Sequence, residues 1–176
     1  EHLMTMRGGF FCDDSNDEAP GNEDKMQEQT AEPDWYKYSL RVPQATAPGT
    51  ESVYCSMMPN LALGMVGRAM DEPVLDIFDR LVAAPLGIAT YAWFLDRAGH
   101  PYGGGGAHFL PRDFMKMGQL MLDGGTWHGR RILSREFAER AVHLLFEAQA
   151  RSEYEAVEHQ LVVRESTAPP NKFRGA

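Results

Sequence analysis

Long apolar runs are absent: no uncharged stretch of the 176 residues approaches the ~20 needed to cross a bilayer. Basic patches are absent as well. Lysine and arginine number 17 against 25 aspartates and glutamates, a formal charge of -8. That leaves no electrostatic footprint for nucleic acid and nothing to draw the chain to anionic lipid. The six histidines are scattered, with neither a His-x-x-x-His nor a Cys-x-x-Cys spacing, which argues against a zinc site. No Gly-x-Ser-x-Gly elbow occurs, which excludes the usual α/β-hydrolase nucleophile. The glycine run at 103–106 is not followed by Gly-Lys-Ser/Thr, so it is no phosphate loop. None of these patterns calls for a cofactor or a metal. The opening residues, Glu1-His2-Leu3-Met4-Thr5, form neither a basic n-region nor an apolar h-region, so no signal peptide is visible. They also lack an initiator methionine, and the compartment stays open.

Cysteine is scarce. Cys12 and Cys55 allow one disulfide or two free thiols, and two half-buried thiols are the simpler expectation, because two cysteines make no framework. A bond between them would close a loop of 43 positions, stabilise the fold by roughly 4 kcal/mol, and imply an oxidising compartment. The remaining composition, 43% apolar and 24% charged, is that of a globular domain. A chain of this length buries roughly 70% of its unfolded surface.

Local patterns order the chain. Residues 1–11 read as a short helix or turn closing at Arg7-Gly8-Gly9. Asp13 to Lys25 is acidic, rich in Asn, Pro and Gly, and predicts a solvated surface loop. It lacks the glycine and glutamate positions of an EF-hand calcium loop. Asp34 caps a short helix running to Leu40, and Ser52 to Cys55 is a β-prone run. Pro59 fits the first turn of the next helix, whose apolar face is Leu61, Met65, Val66 and Ala69. Gly64 and Gly67 in that helix predict close packing against a neighbour. Pro73 starts another helix, with Val74, Ile77, Phe78 and Leu81 inward, and a strand is expected within Ile88–Phe94. The glycine run marks a flexible link or a place where backbone passes close to something. Pro111 opens a helix with the stripe Phe114, Met117, Leu120 and Met121, stopped by Asp123-Gly124-Gly125. Thr126 to Arg130 is a tight turn. Ser134 caps a final helix with Phe137, Ala141, Leu144 and Leu145 inward. Residues 1–149 make one domain. Residues 150–176 form a poorly defined tail, apart from a β-prone run at 160–164.

Tyr54 is the leading candidate for chemistry. A phenol ordinarily titrates near 10 and becomes a base only where cations favour its ionised form. Such cations must come from elsewhere in the fold, since Val53 and Cys55 flank it. Ser56, two residues on, would share its side of an extended segment. On residue physics alone, a tyrosine ending a strand is more often a packed ring with a bonded hydroxyl. His108 and His128 read as surface residues rather than general bases.

An ordered series of segments bears on that choice. His2-Leu-Met-Thr-Met6, Pro48-Gly-Thr50, Tyr54-Cys-Ser56 and Ala84-Pro-Leu-Gly-Ile88 are followed by Pro111-Arg-Asp-Phe-Met-Lys-Met-Gly-Gln-Leu120 and Gly124-Gly-Thr-Trp-His-Gly-Arg-Arg-Ile-Leu-Ser134. Over residues 1–145 the chain resembles the β-lactamase-related serine hydrolases, which include class C β-lactamases, D-alanyl-D-alanine peptidases and carboxylic esterases. The resemblance implies a partial β-lactamase/transpeptidase-like fold: α+β, helix-rich, with few short strands. It implies acyl transfer on a small ester or amide, in which a serine attacks the carbonyl and water releases the acyl group. Tyr54 matches the tyrosine of the family's Tyr-x-Asn motif, which helps activate the nucleophile and protonates the leaving group. Ser56 stands where asparagine is usual and would orient substrate with a shorter reach. A periplasmic or secreted location also follows from the resemblance.

Two family parts are missing. No serine is followed three residues later by lysine, so the acylated Ser-x-x-Lys serine would lie upstream of His2. No Lys-Thr-Gly or His-x-Gly motif occurs near the C-terminus, and Lys172-Phe-Arg-Gly175 is too loose to count. The chain is therefore expected to be the central portion of such an enzyme, without turnover of its own. The alternatives are a non-catalytic, truncated or diverged interaction module, and an unrelated acidic helical binding protein. Missing sheet strands would leave apolar helix faces uncovered and favour self-association.

Overall fold

The computed structural model describes residues 1–151, with side chains as far as His143. Helix outweighs strand among them. The helices are α1 (Glu23–Glu28), α2 (Trp35–Ser39), α3 (Met57–Met70), α4 (Val74–Phe78), α5 (Ala84–Leu86), α6 (Pro111–Leu122) and α7 (Arg135–Arg151). Strand β1 (Tyr91–Trp93) pairs antiparallel with β2 (Ala107–Phe109), placing Ala92 opposite His108. Strand β3 (Thr126–Trp127) pairs with β4 (Arg130–Arg131). This is a helix-rich α+β architecture with two small antiparallel sheets. The β-prone run at 160–164 and the tail from residue 152 lie outside the described residues, as does the packing of Leu144 and Leu145.

The acidic stretch is more structured than its composition predicts. The Asn22 side chain accepts from the Asp24 and Lys25 amides at 3.0 and 3.3 Å, so α1 begins inside the expected loop. Glu23 and Asp24 then occupy its first turn, where negative charge suits the helix dipole. Asp34 caps α2 as expected, accepting from the Tyr36 and Lys37 amides at 3.0 and 3.1 Å. The β-prone run Ser52–Cys55 belongs to no strand. It is irregular backbone tied through Val53 N–H to the Met6 carbonyl at 3.0 Å.

Helix α3 packs against α2 through glycine. A Cβ at Gly64 would lie 2.7 Å from the Tyr36 ring, and one at Gly67 would lie 2.9 Å from Val74. Its apolar face is only partly covered. Met57, Met58 and Leu61 are buried, whereas Met65, Val66 and Ala69, expected inward, are exposed. The glycine run passes close to the start of the same helix, and the Gly103 N–H donates to Asn60 Oδ1 at 2.9 Å.

A π-turn over Asp79–Ala83 joins α4 to α5. Such a turn holds one extra residue, so the inward face slips by one position. Val74 and Ile77 are buried as expected; within the turn Ala83 is buried while Leu81 is exposed, and beyond it Leu86 is buried. Further on, Pro111 occupies the first turn of α6, and Gly124 and Gly125 supply the left-handed stop at φ 59° and 83°. Leu120 is buried, but Phe114, expected beside it, is exposed. The β3–β4 turn uses His128 and Gly129 at positive φ, as a two-residue hairpin requires. Ser134 accepts from the Phe137 amide at 3.1 Å and caps α7, with Ala138 rather than Phe137 buried.

Two apolar clusters result. One gathers Cys12, Met26, Trp35, Val42, Cys55, Met57, Met58 and Tyr102. The other joins Ala83, Leu86, Ile88 and Leu120 with partly buried Phe78, Phe109 and Trp127. Of the two states the cysteine count allows, Cys12 and Cys55 adopt the disulfide rather than the simpler expectation of two thiols; it lies within the first cluster, with Cα atoms 5.7 Å apart. The segment after Phe10 runs back alongside residues 53–56, with the Asp14 N–H donating to the Tyr54 carbonyl at 3.1 Å. That pairing brings the sulfurs together, and no feature of cysteine count foretells it.

Candidate active site

Tyr54 and Ser56 flank the buried Cys55 just before α3, and their side chains have different fates. Tyr54 is 69% exposed, whereas Ser56 is 3% exposed. Ser56 donates its hydroxyl to Asp14 Oδ2 at 2.7 Å and its amide to the same oxygen at 2.8 Å. Its hydroxyl therefore points at a carboxylate and away from solvent. A substrate-orienting role for Ser56 requires that bond to be exchanged.

A part-buried polar network joins Tyr102, Glu23 and Gln27. Tyr102 donates its hydroxyl to Glu23 Oε1 at 2.6 Å, and Gln27 Nε2 donates to the same oxygen at 2.9 Å. Burial raises the Tyr102 phenol well above its ordinary range and the Glu23 carboxylate raises it further, with only partial offset from Ser56 and Gln27. Tyr102 is thus held as a neutral donor. Tyr36 is likewise pushed up, by burial first and then by the charges of Asp96 and Asp34. Both phenols are therefore held more firmly in the neutral form than an ordinary tyrosine. Tyr54 differs from both in its exposure to solvent. A cavity of about 150 Å³ beside it is lined by Met6, Phe10, Cys12, Val53 and Met58 among others, and Tyr54 is not in its wall.

Potential metal ligands converge at two places among the described residues. Cys12, Asp14 and Cys55 form one group, and Asp34, Asp96 and His100 the other. In the first, both sulfurs are consumed by the disulfide. In the second, Asp34 caps α2, and Asp96 accepts from the amides of Trp35, Ala98 and His100 at 3.0, 2.9 and 2.8 Å. These carboxylates already serve as fold supports. Asp14, Glu23 and Tyr102 escape sequence reasoning because their partners lie 42 and 79 positions away. The only local hint is Asn22-Glu23-Asp24, a cap followed by acidic residues.

The chain belongs to the β-lactamase family, whose family model, described as Beta-lactamase, matches residues 1–160. Solved structures share the fold. A Bacillus anthracis protein assigned as a 6-aminohexanoate-dimer hydrolase gives a TM-score of 0.64 at 17% identity, covering 79% of this chain and 39% of that one. A Bacteroides dorei protein assigned as a β-lactamase gives 0.58 at 21% identity, covering 78% and 40%. The D-amino acid amidase of Ochrobactrum anthropi, solved with D-phenylalanine, gives 0.54 at 17% identity, covering 78% and 46%. The chain thus spans less than half the length of each of these structures. A sequence comparison with curated proteins finds no match.

Proposed function

We propose that this chain carries the acid–base part of an acyl-transfer site acting on a small ester or amide, with Tyr54 as the proton carrier. The observation that supports this reading is the Tyr54 ring, exposed and carried on a segment bonded on both sides of it. In this scheme Tyr54 in its ionised form takes the proton from an attacking serine hydroxyl and, as the neutral phenol, gives it to the leaving oxygen or nitrogen. The serine is one that the 176 residues do not supply in a Ser-x-x-Lys context. Ser56 would meet substrate only after exchanging its bond to Asp14.

No helix among the described residues is long and apolar enough to cross a membrane. An apolar groove of about 560 Å³ between the N-terminal turn and the outer face of α3, with Leu3, Met4, Met65, Val66 and Trp93 in its wall, favours self-association. Size-exclusion chromatography reads this as a species larger than 19.7 kDa.

The test has two arms. The 176-residue chain should show no saturable hydrolysis of nitrocefin or a p-nitrophenyl ester beyond a Tyr54→Phe control. The polypeptide extended upstream in its own reading frame, through a Ser-x-x-Lys, should hydrolyse the ester saturably. There Tyr54→Phe should lower kcat by about 10²- to 10⁴-fold, the usual worth of acid–base catalysis. An extended protein whose kcat is unmoved by Tyr54→Phe refutes the reading.

A further inference from the structure

Three consecutive residues, Tyr54, Cys55 and Ser56, are each tied to one other stretch of three, Cys12 to Asp14. The Asp14 N–H donates to the Tyr54 carbonyl at 3.1 Å. The disulfide joins Cys55 to Cys12. The Asp14 carboxylate accepts both the amide and the hydroxyl of Ser56 through Oδ2, at 2.8 and 2.7 Å. Its other oxygen, Oδ1, accepts from the Glu23 amide at 3.1 Å, so the first residue of α1 holds Asp14 from the far side. The Asn22 side chain adds a bond from Nδ2 to the Asp14 carbonyl at 3.3 Å.

These ties matter because nothing periodic fixes the segment. Residues 51–55 belong to no helix and no strand. A side chain on such backbone is only as well placed as the bonds on either side of it. Hydrogen bonds to a carboxylate are shorter and roughly twice as strong as neutral ones. Asp14 holds the carbonyl of Tyr54 with its own amide and the amide two residues on with its side chain. It therefore grips the backbone on the C-terminal side of the Tyr54 Cα at two points.

We propose that Asp14 is the positioning residue for Tyr54, with Cys12–Asp14 acting as a clasp that sets the direction in which the phenol leaves the backbone. The proposal rests on the reading of Tyr54 as the proton carrier, while the clasp stands on the bonds themselves. A purely structural alternative makes Asp14 a distant cap for α3, whose loss would loosen the helix start and leave Tyr54 alone.

Backbone relaxation of ¹⁵N-labelled protein separates the two. Asp14→Ala keeps the backbone bond to the Tyr54 carbonyl and the disulfide but removes the carboxylate grip on Ser56, so order parameters at Tyr54 and Ser56 should fall measurably below the rigid value of about 0.85, while Met57 and Met58 stay rigid. Exchange of the Ser56 amide, which loses its carboxylate partner, should quicken by about 10- to 100-fold, the population change that matches loss of a hydrogen bond to a charged group. Ser56→Ala, which removes only the hydroxyl bond, should give a smaller change of the same pattern. It decides the matter if Asp14→Ala does not fold. Loosening confined to Met57 and Met58, or no loosening in a folded variant, overturns the proposal. In the extended, Ser-x-x-Lys-bearing polypeptide, Asp14→Ala should lower kcat with little change in KM. Loosened Tyr54 backbone together with a kcat indifferent to Tyr54→Phe would leave the clasp standing and remove the proton-carrier reading.

Discussion

Two glycines in helix interiors should respond oppositely to the same substitution. At Gly64 an added Cβ would lie 2.7, 2.8 and 2.9 Å from three atoms of the Tyr36 ring. That ring cannot slide aside freely. Its hydroxyl donates to the Pro101 carbonyl at 2.7 Å, and its face stacks on His100 with centroids 5.0 Å apart. Alanine gains about 1 kcal/mol of helix propensity over glycine, whereas overpacking a fixed contact costs about 1–3 kcal/mol. The clash should win, leaving Gly64→Ala destabilised by up to about 2 kcal/mol. At Gly118 on α6 nothing lies within 4 Å of an added Cβ. Only the propensity gain remains, and Gly118→Ala should stabilise by about 1 kcal/mol. Thermal melting followed by circular dichroism reads both, at about 2–4 °C per kcal/mol for a chain of this size. The expected shifts have opposite signs, and a Gly64→Ala protein that melts above wild type refutes the packing argument.

Replacing both cysteines by alanine should lower the melting temperature by roughly 8–16 °C, the equivalent of about 4 kcal/mol for the loop the bond closes. A thiol reductant should reproduce that shift in the wild type and leave the double variant unmoved. Burial pushes the Asp34 carboxyl up, but the amide and ammonium of Lys37 and the charge of His100 outweigh it and hold it below the usual carboxylate range. A carboxyl lowered in the folded state contributes stability above its unfolded pKa and loses it as pH falls through the folded one. Asp34→Asn should therefore flatten the loss of stability below about pH 4, seen as a shallower fall of melting temperature with pH. Asp34→Ala should cost about 1 kcal/mol at neutral pH through the lost cap.

What could be read ahead of the structure were signals whose cause is local. The Asp34 cap of α2, Pro111 at the head of α6, the stop at Gly124-Gly125 and the Ser134 cap each involve neighbours within a few positions. Gly64 and Gly67 announced a close contact without naming Tyr36 or Val74. Helical periodicity assumes an unbroken phase and so puts Leu81 inward, whereas the π-turn at Asp79–Ala83 slips the face by one residue. Met65 and Phe114 are exposed for another reason. An apolar stripe shows which face seeks cover, and the covering element need not lie within the same 176 residues. At the candidate site the motif nominates Tyr54 and Ser56, the two cysteines allow the disulfide without deciding it, and nothing local points to Asp14. Those contacts span 43 and 42 positions, and no local pattern encodes them.

The disulfide changes what a protease cut would do to this molecule. Ser15, Asp17 and Glu18 are exposed, and a single cleavage there would separate residues preceding the cut from everything after it. Cys12 lies on one side of that cut and Cys55 on the other. A nicked molecule would therefore migrate as one piece until a thiol is added and then fall into two, and the tyrosine would keep its anchor with the peptide chain beside it already severed.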